Sequence, residues 1–448
     1  MQKIKTIEDV RASHLCTGCG ACASLEPQRF AMADVTAEGR RPFVVDNAPA
    51  ATGQAFAACP GVGLQHDYDV QDSALLKSLA PAWGPVYRVV EGHACDPVIR
   101  FSGSSGGAAT ALALFCLEKR HMHGVLHTAA EPQKPYLNRT QFSRNRTDLL
   151  AASGSRYAPS SPCEQWQSIA EAAGPCLFIG KPCDVAALRR AQKQSPALKN
   201  NTGLAIAFFC AGVPNTDATL QLARQQGAPN PQSILNLRYR GNGWPGNWSL
   251  FYSDRDGREH SSRMTYGDSW AFLQKQRQWR CYVCADHTGE FADIAVGDPW
   301  YRPIKPGEMG SSLIVARSRR GLEFLRDAVD AGYLQLTDDD PTLLPRSQPD
   351  LVAMRGNLWA RLAVMRLFGA ATPNYSGFAF FRFWRTELDL AGKLRSIFGT
   401  VKRIFTKKLL RPVPAAASAK AVHTPPADGA GGGTEPSKII TDEVDTHV

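Results

Sequence analysis

Cys16, Cys19 and Cys22 stand in the run CTGCGAC, and Cys59 follows much later, directly before Pro60. Three thiolates on a tight glycine-containing loop, joined by a distant Cys-Pro, are the ligand set of one [4Fe–4S] cluster. Such a cluster moves single electrons, so the chain reads as a redox protein. In two-cluster bacterial ferredoxins a fourth Cys follows the third after three intervening residues, just before a Pro, and serves the other cluster. Here that place holds Glu26 before Pro27, and Cys59 supplies the returning ligand. The alternatives are four unrelated buried thiols or a zinc knuckle, although zinc sites favour paired Cys-x2-Cys halves over a triple.

A chain of 448 residues, 44% of them hydrophobic, can bury a large core and is expected to form two or three domains. The start, MQKIKTIEDVRASH, is polar and charged, so no secretory leader is expected. No apolar run approaches the roughly eighteen residues of a membrane span. Twelve cysteines, several placed as thiolate ligands, point to a reducing cytoplasm rather than a disulfide framework. The net charge of +10 is concentrated: residues 393–411 carry seven basic side chains and no acidic one. The remainder is only mildly basic, which argues against nucleic acid as a partner.

Residues 1–80 read as a small ferredoxin-like module, with SLAPAWGP as the linker out of it. Beyond it, short apolar runs alternate with helical ones. YRVVEG, HGVLHTA, PCLFIG, GLAIAFFC and ADIAVGD read as buried strands, and SGGAATALALFCLEK, DVAALRRAQ and TDATLQLARQQG as helices. This alternation predicts an α/β domain over 81–375 with a largely parallel sheet, making the whole chain α+β. Residues 230–300 look less regular. A basic helical region covers 376–411, and the Pro/Ala/Gly-rich stretch 412–448 is expected to be a disordered tail.

A second set of sulfurs follows the strands. Cys183 opens the helix after CLFIG, Cys210 ends LAIAFFC, and Cys281 and Cys284 form a Cys-x2-Cys before ADIAVGD. Ligands of open parallel sheets gather at the carboxyl ends of strands, so the four can share a second [4Fe–4S] cluster. They are equally readable as ordinary buried thiols beside half a zinc site.

The segment Ser102, Gly103, Ser104, Ser105, Gly106, Gly107 opens a helix. Glycines let backbone amides approach a phosphate, serines add hydroxyls, and the helix N-terminus favours negative charge. The segment matches neither common nucleotide-loop fingerprint, and a plain glycine turn is the simpler reading. Lys181, beside Cys183, can pair with a phosphate or a reduced-flavin charge, or be a surface lysine at a helix start. Asp298 and Trp300, in GDPW, suit a cofactor edge or a structural turn. His121, His123 and His127 are available as proton donors, or are ordinary loop and helix-end histidines.

In order along residues 10–375, SGSSGGAATALALFCLEK, SGSRYAPS, FIGKPCDVAALR, FFCAGVP, RCYVCADHTGEFADIAVGDPW and LFGAATPNYSGF resemble the beta subunits of coenzyme F420 hydrogenases and dehydrogenases. SGSRYAPS departs from that family's Gly-Ser-Lys-Tyr segment by placing Arg156 at the Lys position. The resemblance implies FAD held by the glycine loop, with Tyr157, Lys181 and Asp298 near it. It also implies [4Fe–4S] clusters on Cys183, Cys210, Cys281 and Cys284 and in the N-terminal segment. A flavin joins one-electron carriers to two-electron donors, so the implied activity is an oxidoreductase. Its redox carrier is ferredoxin, a deazaflavin or a nicotinamide. Similar proteins act on chlorophyll pigments or accompany polysaccharide synthesis, so the resemblance leaves the substrate open. Its two rivals are an electron-transfer subunit of a larger redox complex and a ferredoxin-fed reductase.

In KLRSIFGTVKRIFTKKLLR, Leu394, Ile397, Phe398, Val401, Ile404, Phe405 and Leu409 recur at helical spacing. The pattern suits an anionic membrane surface at the inner face of the membrane, or packing on the chain's own domain.

Overall fold

A computed structural model describes residues 4–305 and 307–413. The expected tail therefore lies almost wholly outside the described residues. At the centre is an eight-stranded sheet, in spatial order Leu334–Asp339, Arg88–Ala94, Ser312–Ala316, Ile294–Gly297, Thr202–Phe208, Cys176–Gly180, Gly124–Glu131 and Lys134–Ser143. The last four before the edge strand, from Ile294–Gly297 to Gly124–Glu131, run parallel. The others pair antiparallel. The expectation of a largely parallel sheet thus holds for its middle, and the whole is mixed. The reason lies in the connections. Glu131 and Lys134 close a tight hairpin, and the link from Gly297 to Ser312 carries no helix, so neither can return a parallel strand.

Strand alternation divides the core into two faces. Leu177, Ile179, Leu204, Ile206, Ile294, Val296 and Ile314 face helices Ala108–Glu118 and Arg319–Asp330, meeting Leu112, Phe115, Phe324 and Leu325. Phe178, Ala205 and Ala207 face helix Pro182–Gln192, while Ala295, Leu313 and Val315 meet Trp83 and Leu344. Each fully buried Leu or Phe side chain contributes about 1.5–3 kcal/mol. SLAPAWGP is not a loose linker: Ala80–Trp83 is helical, and buried Arg317 donates to the carbonyls of Trp83 and Pro85.

The N-terminal segment comprises helices Ile7–Ala12, Ala21–Leu25 and Gln54–Ala58 and the hairpin Phe30–Val35/Gly39–Val44. Its strand Gly63–Gln65 pairs in parallel with Asn374–Ser376, which joins the N-terminal segment to the region beyond helix Leu351–Leu367. Within residues 230–300, less regular by sequence, lies an antiparallel three-stranded sheet, Ile234–Arg238, Asn247–Ser253 and Glu259–Thr265. Among the described residues no helix is long and apolar enough to cross a membrane.

Candidate functional site

Strand polarity brings the chemistry to one edge. Ser312 pairs antiparallel with Gly92, and Gly297 with Leu313. The start of Ser312–Ala316 and the end of Arg88–Ala94 therefore lie beside the carboxyl ends of the parallel strands, where open sheets collect ligands. Along that edge, in order, come the glycine loop, Ser312, Asp298, Cys210, and Lys181 with Cys183. Neighbouring strands are about 4.8 Å apart, so the flavin-loop candidates and the second thiol set are close neighbours.

The first thiol set gathers under a docked loop. Cys16, Cys19, Cys22 and Cys59 lie within electrostatic reach of one another. Gly20 has φ +89, and a Cβ there would meet Glu164 at 2.9 Å, so only glycine lets CTGCGAC lie this close to residues 161–164. Cys163 N–H donates to the Cys19 carbonyl at 3.0 Å, and Ser161 Oγ donates to the Gly18 carbonyl at 2.8 Å. The Cys163 thiol, which sequence reasoning passed over, lies beside Cys19 and holds that thiol below its usual range. Burial, then the neighbouring thiols, push Cys59 up to about 12.

Cys183, Cys210, Cys281 and Cys284 likewise lie within electrostatic reach of one another. Their loops are fixed by named contacts. Asp286 accepts from the amides of Thr288, Gly289 and Glu290 at 2.8–3.0 Å, shaping the turn after Cys284. Val213 N–H reaches Cys281 Sγ at 3.4 Å. His287 exchanges bonds with Cys210, ring to carbonyl and carbonyl to amide, both at 2.9 Å. Burial first, then nearby thiols, push Cys210 up to about 12. All twelve cysteines are free.

This donor chemistry fits an iron–sulfur group. Buried clustered thiols stay protonated unless a cation compensates them, and coordination deprotonates a thiol outright. Among the described residues no three His, Cys, Asp or Glu side chains converge as the ligands of one metal ion. A four-iron cube takes its thiolates at separate corners and needs no such convergence.

Two contacts link the sets. Arg280, buried, donates to the carbonyls of Pro60 at 2.9 Å and Val283 at 3.0 Å. Cys163 Sγ donates to the Asp184 carbonyl at 3.6 Å, beside Cys183.

The glycine loop follows helix Pro97–Ser102, capped by Asp96, and leads into helix Ala108–Glu118. A Cβ on Gly106 would stand 2.8 Å from the Ser311 backbone, so the loop lies flush against the sheet edge. Its hydroxyls anchor it. Ser102 Oγ donates to the Ile99 carbonyl at 3.4 Å, Ser104 Oγ accepts from Ser155 N–H at 2.6 Å, and Ser105 Oγ bonds Ser312 Oγ at 3.0 Å. Ser104 keeps its own proton to donate.

Beside the loop, Arg240 forks onto Asp298 at 2.7 and 2.9 Å, Trp244 Nε1 donates to Asp298 at 2.8 Å, and Arg240 reaches Tyr157 Oη at 3.3 Å. Trp300 stacks on Trp244 and Tyr266, with centroids 5.5 and 6.0 Å apart, and Arg240 lies over Tyr266. Tyr157, tilted 35° to Tyr266, and Asp298 thus border one aromatic wall. Arg240, Trp244 and Tyr266 were missed because they sit in the segment that looked irregular.

Lys181 is half-buried and engaged, with Nζ 2.7 Å from Asp184 and 2.8 Å from Ser160 Oγ. Burial opposes its charge, but the Asp184 carboxylate, helped by Cys183 and Cys163, raises its pKa. His127 is locked between Ser143 Oγ and the Thr128 carbonyl, inside the sheet. His123 accepts from Arg144 at 3.2 Å, and exposed His121 has positive φ.

Residues 89–167 and 175–342 match the N-terminal and C-terminal models of the coenzyme F420 hydrogenase/dehydrogenase beta subunit. The chain belongs to this beta-subunit family. The family consists of redox-enzyme subunits, which makes an oxidoreductase electron-transfer role the class of this beta-subunit-like chain. It is similar to the coenzyme F420 hydrogenase subunit beta of Methanosarcina barkeri, 25% identical over 273 residues, 57% of this chain and 83% of the relative. It is also similar to the F420-dependent formate dehydrogenase 1 subunit beta of Methanococcus maripaludis, 23% identical over 253 residues, 56% of this chain and 61% of that one. A chain of the F420-reducing [NiFe] hydrogenase complex from Methanosarcina barkeri overlays with a TM-score of 0.48 and 20% identity, over 63% of this chain and 94% of its own. The two family models leave out residues 1–88, 168–174 and those after 342.

Proposed function

We propose that this beta-subunit-like chain is an iron–sulfur flavoprotein oxidoreductase. Its two cysteine sets would each hold a [4Fe–4S] cluster, and the glycine-loop edge would hold FAD. When bound, these groups supply one-electron carriage and two-electron exchange with an organic partner. The observation that carries the reading is the single sheet edge on which the glycine loop, Asp298, Cys210 and Cys183 succeed one another.

The protein's own residues prepare that edge. The backbone of Gly103–Gly107 and the start of the following helix would receive phosphate oxygens, with Ser104 donating its hydroxyl proton. The stacked rings of Trp244, Trp300 and Tyr266 would offer an aromatic face to a ring system, and Arg240 keeps a fixed positive charge beside them. Arg280 and Cys163 hold the N-terminal thiol loop against the second set, which shortens the route between them. Ferredoxin, a deazaflavin or a nicotinamide would serve as the outside carrier. The subunit names of the relatives favour assembly into a larger redox complex over an isolated reductase.

The test is the iron, zinc and flavin content of anaerobically purified protein, with spectra before and after dithionite. About eight irons and one FAD per chain are expected from eight ligand thiolates. Zinc without flavin would overturn the proposal.

A further inference from the structure

The helix Leu390–Thr406 packs on its own domain by an unexpected face. Its buried positions are Gly392, Ser396, Thr400 and Ile404, spaced by four residues along one side, against helix Leu351–Leu367. Ser396 Oγ donates to the Lys393 carbonyl and Thr400 Oγ1 to the Ser396 carbonyl, both at 2.6 Å, so the small polar face satisfies itself and seats closely. A globular helix ordinarily turns its Leu and Phe inward. Here Leu390, Leu394, Phe398 and Phe405 point outward, 73, 45, 66 and 59% exposed.

Two residues along a helix turn the direction by about 200°, so this stripe lies opposite the packed one. Exposed Arg395 and Lys402 are interleaved with it. The apolar patch continues onto the neighbouring helix end, where the Phe368 ring meets Phe405 edge-on at 5.9 Å and Leu367 is exposed. Around it residues 393–411 carry seven basic side chains and no acidic one.

We propose that this face rests on an anionic lipid bilayer. Leu and Phe side chains would enter the boundary between headgroups and acyl chains while Arg and Lys stay among the phosphates. Charge selects this occupant: exposed Arg395 and Lys402 flank the stripe, and a second copy would set like charges against like. The helix is too short and too charged to cross, so the chain would lie on the bilayer.

Flotation of the full chain, purified without oxygen, tests the proposal with vesicles of phosphatidylcholine alone or mixed with phosphatidylglycerol. Binding is expected only to the mixed vesicles and should fall as salt rises. Lys402→Glu should weaken it by about fivefold or more. Phe398→Ala should weaken it by about tenfold or more. Lys199→Glu, on a distant exposed surface, should leave it unchanged. Light scattering and circular dichroism of each variant report assembly and folding. Absence of flotation, equal binding to neutral vesicles, or a dimer dispersed by Phe398→Ala would overturn the proposal, the last by assigning the face to a second copy.

Discussion

Arg280 donates to the carbonyl of Pro60 across 2.9 Å, which ties the residue after Cys59 to the loop bearing Cys281 and Cys284. A buried cation therefore stands between the two thiol sets, within electrostatic reach of Cys183 and Cys284. Arg280→Met leaves the Pro60 and Val283 carbonyls without their donor, at a cost of about 2–4 kcal/mol. In iron-loaded protein it also removes a positive charge that favours added electrons, so reduction potentials should become more negative. Potentiometric titration followed by electron paramagnetic resonance measures this, and unchanged potentials would leave Arg280 a purely structural clamp.

Gly106 has no room for a side chain against Ser311 and Ser312. Gly106→Ala must push the loop off the sheet edge, at about 1–3 kcal/mol by the cost of overpacking. Bound flavin per chain should fall along with the unfolding temperature. Ser104→Ala takes away one hydroxyl and leaves Ser155 N–H without its acceptor, at about 1 kcal/mol, so it should weaken flavin retention with a smaller thermal shift than Gly106→Ala. If both variants retain full flavin, the glycine loop is not its site.

The motifs were legible because their chemistry is local. Cys-x2-Cys-x2-Cys, the glycine loop and the apolar strand runs announce themselves within a few residues. The five strands expected from apolar runs are all strands of the central sheet. Lys134–Ser143 escaped because an edge strand exposed on one side reads as a polar stretch, KPYLNRTQFS. Ser312–Ala316 is as apolar as its neighbours, but its antiparallel direction is set by a helix-free connection that no periodicity reveals. The aromatic wall was illegible for a related reason. Arg240 and Asp298 are far apart in the chain, and only the fold makes one the counterion of the other. The terminal helix misled in the opposite way: its apolar spacing was plain, whereas its packing face is chosen by Gly392, Ser396 and Thr400.

Arg240 depends on Asp298. Its guanidinium is buried, and the carboxylate beside it outweighs the burial that would otherwise discourage its charge. Asp298→Ala leaves that charge without a partner and frees Trp244 Nε1, which should cost about 3–5 kcal/mol. Asp298→Asn keeps an acceptor for Trp244 and should cost less. Urea unfolding under nitrogen ranks the two variants. Equal, near-zero losses would mean that the aromatic wall is held by stacking alone.

His127 supplies a pH test away from every thiol set. Burial pushes its pKa from 6.5 down to about 4, with the Thr128 carbonyl and Asp148 opposing and Arg139 assisting. The unfolded chain therefore binds a proton at this position between about pH 6.5 and pH 4 that the folded chain refuses. The sign follows: the stability attached to neutral His127 is complete above pH 6.5 and is lost as pH falls toward 4, at up to about 1.4 kcal/mol per pH unit. His66, also lowered to about 4 by burial although it touches Glu290 at 2.6 Å, adds a second slope of the same sign. His127→Gln retains a hydrogen-bonding group toward Ser143 without a titrating ring. It should flatten the acid-side fall in unfolding free energy by one proton's worth while leaving the His66 contribution in place. If variant and parent lose stability in parallel as the pH drops, His127 is protonated in the folded chain, and its burial does not exclude the charge.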